Sequence, residues 1–350
     1  LREILENELF QNSSSPLTRA DVARLAQVSE TIVSYVINNN RYVAKDKRQR
    51  VEDAIRRLNY RPNNIARALK GKQSNQILFI ADNITNEYFS NIVSAMDTYA
   101  YASGYLISLC ANRNTPEFVA QVISRQYDGI IISSATFPDE YVERFSQAGI
   151  PVVIFKRMNH QTSSERVALL GTGLYKGARR AVRHLVDKGC KNILYVDRIS
   201  TRGHFSTTDD LRFSGFVDEM RASGFPEGEI RMVKGCSTQE ELKEAVKLRL
   251  RQENSVDGIF GRNDTIACLA MTAAKEIGLS VPKDVKVIGF DDSSISRFCS
   301  PTLSTIRVSQ QEIAAAAIDM LNQMIGGSQP ENMDFDITLI ERESTGASQV

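Results

Sequence analysis

From about residue 77 onward, short apolar and β-branched runs alternate with longer stretches whose apolar positions recur every three or four residues. ILFIA (77–81), GYLISLCA (104–111), GIIIS (129–133) and PVVIF (151–155) are bounded by Gly, Pro or Asn and read as buried strands. Residues 89–103, 116–126 and 139–148 lie between them with helical spacing. The pattern then restarts: NILYVD (192–197), EIRMVKG (229–235), GIFGRND (258–264) and VKVIGFDD (285–292) alternate with helices near 174–188, 210–223, 238–253 and 263–277. Strand–helix alternation implies parallel strands joined by right-handed crossovers, and two sheets of four or more strands favour two α/β lobes over one oversized sheet.

Ahead of residue 77 the periodicity is helical only. TRADVARLA (18–26) and SETIVSYVINN (29–39) form two short helical patterns separated by Gln27 and Val28, and Ser29 is placed to cap the second near Ile32. DKRQRVEDAIRRLNY (46–60) is a third helix with Val51, Ala54, Ile55 and Leu58 on one face. Three helices in this order give a helix-turn-helix layout, whose second helix enters the DNA major groove; protein-docking modules use three short helices too.

Charge separates the same two regions. The 350-residue chain is nearly neutral at +1, with 43 Lys and Arg against 42 Asp and Glu, but residues 17–72 carry 13 bases and 5 acids. A net of +8 on the helical segment leaves −7 on the rest, the asymmetry expected when one part meets a polyanion. No apolar run reaches the roughly 18–20 residues of a membrane span, and the first residues lack the basic start and cleavage site of an export signal, so no membrane association and a cytoplasmic, nucleoid-associated location are expected. The five cysteines (Cys110, Cys190, Cys236, Cys268 and Cys299) lack C-x-x-C spacing, which suits reduced thiols and no zinc site.

D-V-A-x-x-A-x-V-S at Asp21 to Ser29 and L-N-Y-x-P-N-x-x-A-R-x-L at Leu58 to Leu69 resemble the DNA-binding domain of the lactose-repressor (LacI) family of bacterial transcription regulators. Asn263 with Asp264, V-I-G-F-D-D at Val287 to Asp292 and P-x-L-x-T-I at Pro301 to Ile306 extend the resemblance from about Leu17 to Gly346. It implies an all-α helix-turn-helix headpiece followed by an α/β, two-lobed, periplasmic-binding-protein-like (type I) core with parallel sheets. The expected divisions are an extension at 1–16, the headpiece at 17–61, a hinge helix and linker at 62–75, an N-lobe of 76–173 plus 305–337, and a C-lobe of 174–304 plus 338–350. The implied protein is a homodimer or higher oligomer, without cofactor, metal or catalytic residue. It represses at an inverted-repeat operator in double-stranded DNA under control of a small effector, a sugar or sugar derivative.

The resemblance also nominates residues. Thr18, Ser29, Glu30, Thr31, Ser34, Tyr35 and Asn38 are expected at the DNA, with Arg61, Asn63, Ala66 and Leu69 in the hinge, Leu69 as a minor-groove wedge. The family commonly has Arg, suited to guanine, where Tyr35 stands, so a different operator is expected. Arg41, Lys45, Lys47 and Arg48 are expected to neutralise phosphates. Asn86, Tyr88, Phe89, Arg157, Arg212, Asn263 and Asp291 are expected to line the effector cleft. Lys156 stands where the family often has Asp, and Gly173 with Leu174 where it often has Asp-Asn. A base replacing an acid near the cleft suggests an anionic effector.

Two other classes have sequence features of their own. Gly171, Gly173 and Gly177 follow an apolar run, open a helix and precede Asp197 at a strand end, which imitates a dinucleotide fingerprint. An exported sugar-binding protein would share the two lobes but not the helix-turn-helix. His160, His184 and His204 belong to no hydrolytic motif.

Overall fold

The computed structural model describes residues 17–61, 73–82, 86–158, 164–226, 230–252 and 256–346. Two compact units divide at Ser74 and Asn75. The extension 1–16 and the hinge positions Asn63, Ala66 and Leu69, together with His160, lie outside the described residues.

The first unit contains α1 (Arg19–Ala26), α2 (Glu30–Asn38) and α3 (Lys45–Arg57). Thr18 caps α1 reciprocally with Asp21: its amide and hydroxyl both donate to the Asp21 carboxylate, at 2.9 and 2.7 Å. Gln27 turns the chain through the left-handed region at φ 53°, and the Ser29 hydroxyl accepts from the Ile32 amide at 3.4 Å, so α2 starts where the sequence placed its cap. Val22, Leu25, Val33, Val36, Val51, Ala54 and Leu58 close a small core among the three helices, with Ile55 packed against it.

The second unit opens with β1 (Gln76–Ala81), α4 (Glu87–Ala102), β2 (Leu106–Ala111), α5 (Pro116–Ser124), β3 (Gly129–Ser133), α6 (Asp139–Gln147), β4 (Val152–Lys156) and β5 (Val167–Gly171). These strands, joined by the short β11 (Met333–Asp334), form a parallel six-stranded sheet in the order β11-β5-β4-β3-β1-β2. After α7 (Leu174–Asp187) come β6 (Ile193–Val196), α8 (Leu211–Ala222), β7 (Arg231–Val233), α9 (Gln239–Gln252), β8 (Gly258–Gly261), α10 (Asp264–Glu276) and β9 (Lys286–Ile288). They make a parallel four-stranded sheet in the order β7-β6-β8-β9. The chain then runs through α11 (Ile295–Phe298), β10 (Thr305–Val308), α12 (Gln310–Ile325) and β12 (Ile337–Ile340), with β10 and β12 paired as an antiparallel ribbon.

Strands in both sheets read as continuous apolar runs because helices cover both faces. One apolar cluster includes Phe79, Phe155, Tyr195, Phe216, Phe260 and Phe290, so side chains of both lobes share a core. Separate clusters lie on the outer faces of the two sheets, one under α5 and α6 and the other under α9 and α10. Helix α12 returns to pack on α4 and on β3 to β5. The carboxyl ends of the strands in both lobes are therefore left to carry loops, the usual ligand position in open α/β sheets.

The glycines that imitate a dinucleotide fingerprint answer to packing. Gly173 caps α7 at φ 72°, and an added Cβ would lie 2.4 Å from Ile337; at Gly177 it would lie 2.6 Å from the Phe290 ring. Asp197 is buried, its two oxygens accepting from the amide and hydroxyl of Ser206 at 2.7 and 2.6 Å, so its carboxylate is already engaged within the fold.

Candidate functional site

In the helical unit, Val33 and Val36 turn α2 toward the core, leaving Thr31, Ser34, Tyr35 and Asn38 as a stripe of polar and aromatic groups on another face. Ser29, Glu30 and Thr31 are exposed at the start of that helix. Asn38 donates its amide to Ser34, at 2.8 Å to the carbonyl and 3.1 Å to the hydroxyl, so these two neighbours are oriented before any partner arrives. The Arg41 guanidinium stands 5.4 Å from the centre of the Tyr35 ring. Arg61 is exposed at the end of the unit. Of the basic side chains nominated for phosphates, Arg48 is engaged internally, with Asn39 at 3.1 Å and Glu52 at 4.0 Å.

In the core, Asn86, Tyr88, Phe89, Arg157, Arg212, Asn263 and Asp291 all line one cavity of about 480 Å³. That volume falls within the range of small-molecule sites. They arrive from loops after β1, β4, β8 and β9 and from the first turns of α4 and α8. The Oδ1 atoms of Asn86 and Asn263 are committed to capping α4 and α10, each accepting an amide at 2.9 Å, which leaves the Nδ2 donors for a ligand. Tyr88 is buried, and burial pushes its hydroxyl up to about 12, so it stays a neutral hydroxyl.

Arg212 is buried. It donates to the Arg262 carbonyl and to Asp291 at 3.3 Å, with its guanidinium 4.0 Å from the centre of the Phe290 ring. Asp291 sits at φ 101°, a conformation that a non-glycine residue adopts at a cost, next to the cavity it lines. Burial pushes its carboxyl up despite Arg212, Arg157 and Arg262. Asp292 instead binds Arg342 and Arg307 at 2.6 and 2.7 Å, making it a loop anchor.

Several cavity residues escaped the sequence reading: Asp82, Arg198, Arg202, Arg262 and His204. Arg198 and Arg262 each stand just beyond a strand's carboxyl end, after β6 and β8, and that position was the available signal. Arg262 and Arg198 both donate to Asp210 at 2.7 Å. Burial opposes the Asp210 charge, but Arg262, Arg198 and Arg157 hold its carboxyl well below the usual range. Arg198 shows the opposite pressure: burial and the neighbouring Arg262 bring it down to about 10. Five arginines (157, 198, 202, 212 and 262) face two aspartates, Asp82 and Asp291, around the cavity. Buried Nε atoms of Arg157, Arg198 and Arg212 have no hydrogen-bond partner among the described residues.

Lys156 does not belong to this group. It lines a separate cavity with Gly173, Tyr175, Asp218 and Asp334, so the expectation that it brings positive charge to the cleft is corrected. Successive residues along a strand point to opposite sides, and Arg157, one position on, is the one that reaches the cleft.

The lobes also touch at the cleft rim. Glu87, in the first turn of α4, accepts from both the amide and the hydroxyl of Ser294, each at 2.7 Å, and Arg202 donates to the Asn112 carbonyl at 3.4 Å. Behind the rim, Asp264 accepts from Thr305 at 2.6 Å and from the Ser293 amide and hydroxyl at 2.6 and 2.8 Å. Burial, reinforced by Asp291, still pushes its carboxyl up to about 7. A raised folded-state value means that the folded protein binds the extra proton, so this residue's contribution to stability falls as pH rises from about 4 towards 7. Asp264→Asn should therefore gain thermal stability relative to the parent across that window, read by melting at stepped pH; a pH-independent difference would contradict the assignment.

A helix-turn-helix unit whose second helix carries exposed and half-buried polar side chains on one face, joined to a two-lobed core around a charged cleft, defines the class of DNA-binding regulators with a ligand-binding core. Residues 18–63 match the bacterial regulatory proteins of the lacI family, and residues 182–345 match the periplasmic binding protein-like domain. The chain belongs to the LacI family of bacterial transcriptional repressors, which are regulators and not enzymes. One relative, the HTH-type transcriptional repressor PurR of Actinobacillus pleuropneumoniae serotype 3, is 34% identical over 336 residues, covering 93% of this chain and 98% of the relative. PurR of Pectobacterium carotovorum is 30% identical, covering 93% and 96%. The lac repressor dimer bound to operator and the anti-inducer ONPF superposes with a TM-score of 0.78 at 26% identity, covering 95% of this chain and all of that one. A regulator from Alkaliphilus metalliredigens complexed with D-xylulofuranose is 31% identical, with a TM-score of 0.64 over 78% of this chain and all of that one. Among the described residues, no helix is long and apolar enough to cross a membrane.

Proposed function

We propose that this repressor acts in the cytoplasm as a homodimer at an inverted-repeat operator, and that an anionic sugar or sugar derivative in the inter-lobe cleft sets its affinity for DNA. The observation that carries the effector reading is the convergence of five arginines on one cavity that two aspartates line, with Asp210 behind it shared by Arg198 and Arg262, and with the buried Nε atoms of Arg157 and Arg212 lacking a hydrogen bond among the described residues. Burial, and after it the neighbouring Arg262, weakens the Arg198 charge, and a carboxylate or phosphate in the cavity offsets both by pairing with the guanidinium. Asn86, Tyr88 and Asn263 supply neutral donors for hydroxyls, Phe89 an apolar face, and the Arg212–Asp291 pair holds paired hydroxyls.

In this reading Ser29, Glu30, Thr31, Ser34, Tyr35 and Asn38 meet base edges, Thr18 and Arg61 flank them, and residues 62–75 form the hinge. The lobes are assigned as 76–173 plus 305–337 and 174–304 plus 338–350. Effector binding shifts the balance between lobe arrangements, and the hinge carries that shift to the two headpieces.

A thermal-shift screen of neutral, carboxylated and phosphorylated sugars, followed by operator titration with each hit, tests the proposal. Acids or phosphates should raise the melting temperature and change operator affinity, with Arg157→Gln removing both effects. Tight binding of a neutral sugar with none by its acid or phosphate forms would contradict it. Leu69→Ala should weaken operator binding by about tenfold or more while sparing effector affinity, because loss of the wedge removes the kink that brings DNA onto the protein. Unchanged operator affinity would remove the wedge role.

A further inference from the structure

We infer that Cys268 and Cys299 form a redox switch, in which a peroxide oxidises the two thiols to a disulfide that ties the segment 291–299 to α10 and thereby alters affinity for DNA. Cys268 lies in the second turn of α10 and Cys299 directly follows α11. Both are half-buried, and both pack on the apolar cluster under α9 and α10. The Cys268 thiol donates to the Cys299 sulfur. The Cys299 thiol in turn donates to the Pro301 carbonyl at 3.3 Å, with the Ser296 carbonyl at 3.6 Å, so its own loop holds that sulfur in place. Cys110 and Cys190 instead donate to the carbonyls of Ala111 and Asp257, at 3.6 and 3.4 Å, and Cys236 is buried beyond β7.

The two sulfurs have different parts in the reaction. The bond from Cys268 pulls the Cys299 thiol below its ordinary value against burial, helped by the Leu303 amide and Arg342, and the same bond pushes Cys268 above its own. The thiolate is the nucleophile, so Cys299 attacks first. Its sulfur bonds to one peroxide oxygen, the O–O bond breaks, and the departing hydroxide leaves as water with the proton of the Cys299 thiol. The Cys268 sulfur then attacks the sulfenic acid on Cys299, forming the S–S bond and breaking the S–OH bond, and a second water leaves with the Cys268 proton. Two thiols and one peroxide become one disulfide and two waters. In a reducing compartment such a bond is transient and sensing rather than structural.

The segment that the bridge ties down is bonded to the cleft at its other end. Asp291 lines the effector cavity and pairs with Arg212, and Ser293 donates its amide and hydroxyl to Asp264 at the start of α10. Ser294 donates its own amide and hydroxyl to Glu87 in the other lobe. The Cys299 amide donates to the Ile295 carbonyl at 3.0 Å, which closes the single turn of α11 between Ser294 and the bridge. Drawing the sulfurs from hydrogen-bond to covalent distance therefore acts on a segment that sets both the cavity wall and the contact between lobes.

The full-length protein is treated with hydrogen peroxide, its remaining thiols are alkylated, and it is digested with trypsin. Lys275, Lys283, Lys286 and Arg297 separate the two cysteines, so the bridge should appear in the mass spectrum as a cross-linked pair of the peptides 263–275 and 298–307, parted by dithiothreitol. Cys268→Ser should leave Cys299 as a sulfenic acid that dimedone traps, whereas Cys299→Ser should leave Cys268 largely unreacted. Fluorescence anisotropy on DNA that the protein itself selects from a random pool should give affinities at least about fivefold apart for the reduced and bridged forms, the lower end of coupling between sites. Cys268→Ser should show no such difference. The inference is overturned if the parent protein yields no such peptide pair, if the bridge joins Cys110, Cys190 or Cys236, if a non-reducing gel shows a covalent dimer instead, or if the bridged protein binds DNA as the reduced one does.

Discussion

Arg212→Ala should abolish the effector's control of operator binding while the unliganded protein still binds DNA. The guanidinium is buried, spans the Arg262 carbonyl and Asp291, and stacks on Phe290, so it is both a wall of the cavity and the fixed end of the clamp. Its loss strands the Asp291 carboxylate. Removing one member of a buried pair costs about 3–5 kcal/mol. The lower end applies here, because the Asp291 carboxyl is already pushed up by burial and escapes part of the penalty by taking a proton. Operator binding should survive because the helical unit has its own core and divides from the rest at Ser74. Arg212→Lys, which keeps charge but cannot span two acceptors in one plane, should recover only part of the response. Fluorescence anisotropy on labelled operator, with and without effector, reads the outcome; an undiminished response in the alanine variant would remove Arg212 from the clamp.

The largest stability loss is expected at Arg262. Its guanidinium joins Asp210 at 2.7 Å and the Tyr195 hydroxyl at 3.2 Å, with Asp197 3.7 Å away, all within the buried wall of the cleft. Burial alone would discharge it, but Asp210, Tyr195 and Asp197 hold it firmly charged. Arg262→Met leaves two carboxylates buried with Arg198 as their nearest base, at a cost of about 3–5 kcal/mol, or about 10 °C in melting temperature for a unit of this size. The pH dependence has a definite sign. Asp210 is depressed in the folded state, so its contribution is present above the ordinary aspartate value near 4 and is lost as pH falls below it. The gap between parent and variant should therefore be full at neutral pH and narrow in acid. Equal melting temperatures at pH 7 would show that the network does not stabilise the core.

Much of the architecture was legible because its periodicities are undiluted. Strands β1, β3 and β4 and helices α4 to α10 lie within a few residues of the apolar patterns that announced them, and the Ser29 cap marked the start of α2, whereas α12 was not read from the sequence. The short returning segments were not announced: β11 has two residues, and β10 and β12 pair only with each other, across a helix that separates them in sequence. Such elements are fixed by the surfaces they meet, which no local pattern records. The family motifs led to seven cleft residues that one cavity brings together, and they missed the arginines at 198, 202 and 262, whose neighbours become visible only when β6, β8 and the loop to α8 are assembled. Lys156 shows the limit from the other side. A one-residue step along β4 separates a side chain in the cleft from one in a different cavity.

The helical unit adds a question of base preference to that of control. Tyr35 cannot make the two parallel hydrogen bonds by which arginine reads guanine, and it holds Arg41 against its ring. The whole account depends on this unit recognising a defined sequence in pairs. Selection of bound DNA from a random pool by the purified full-length protein tests that most directly. The expected result is an enriched inverted repeat with two equivalent half-sites; a pool that stays random, or one that converges on a single unpaired site, would contradict it.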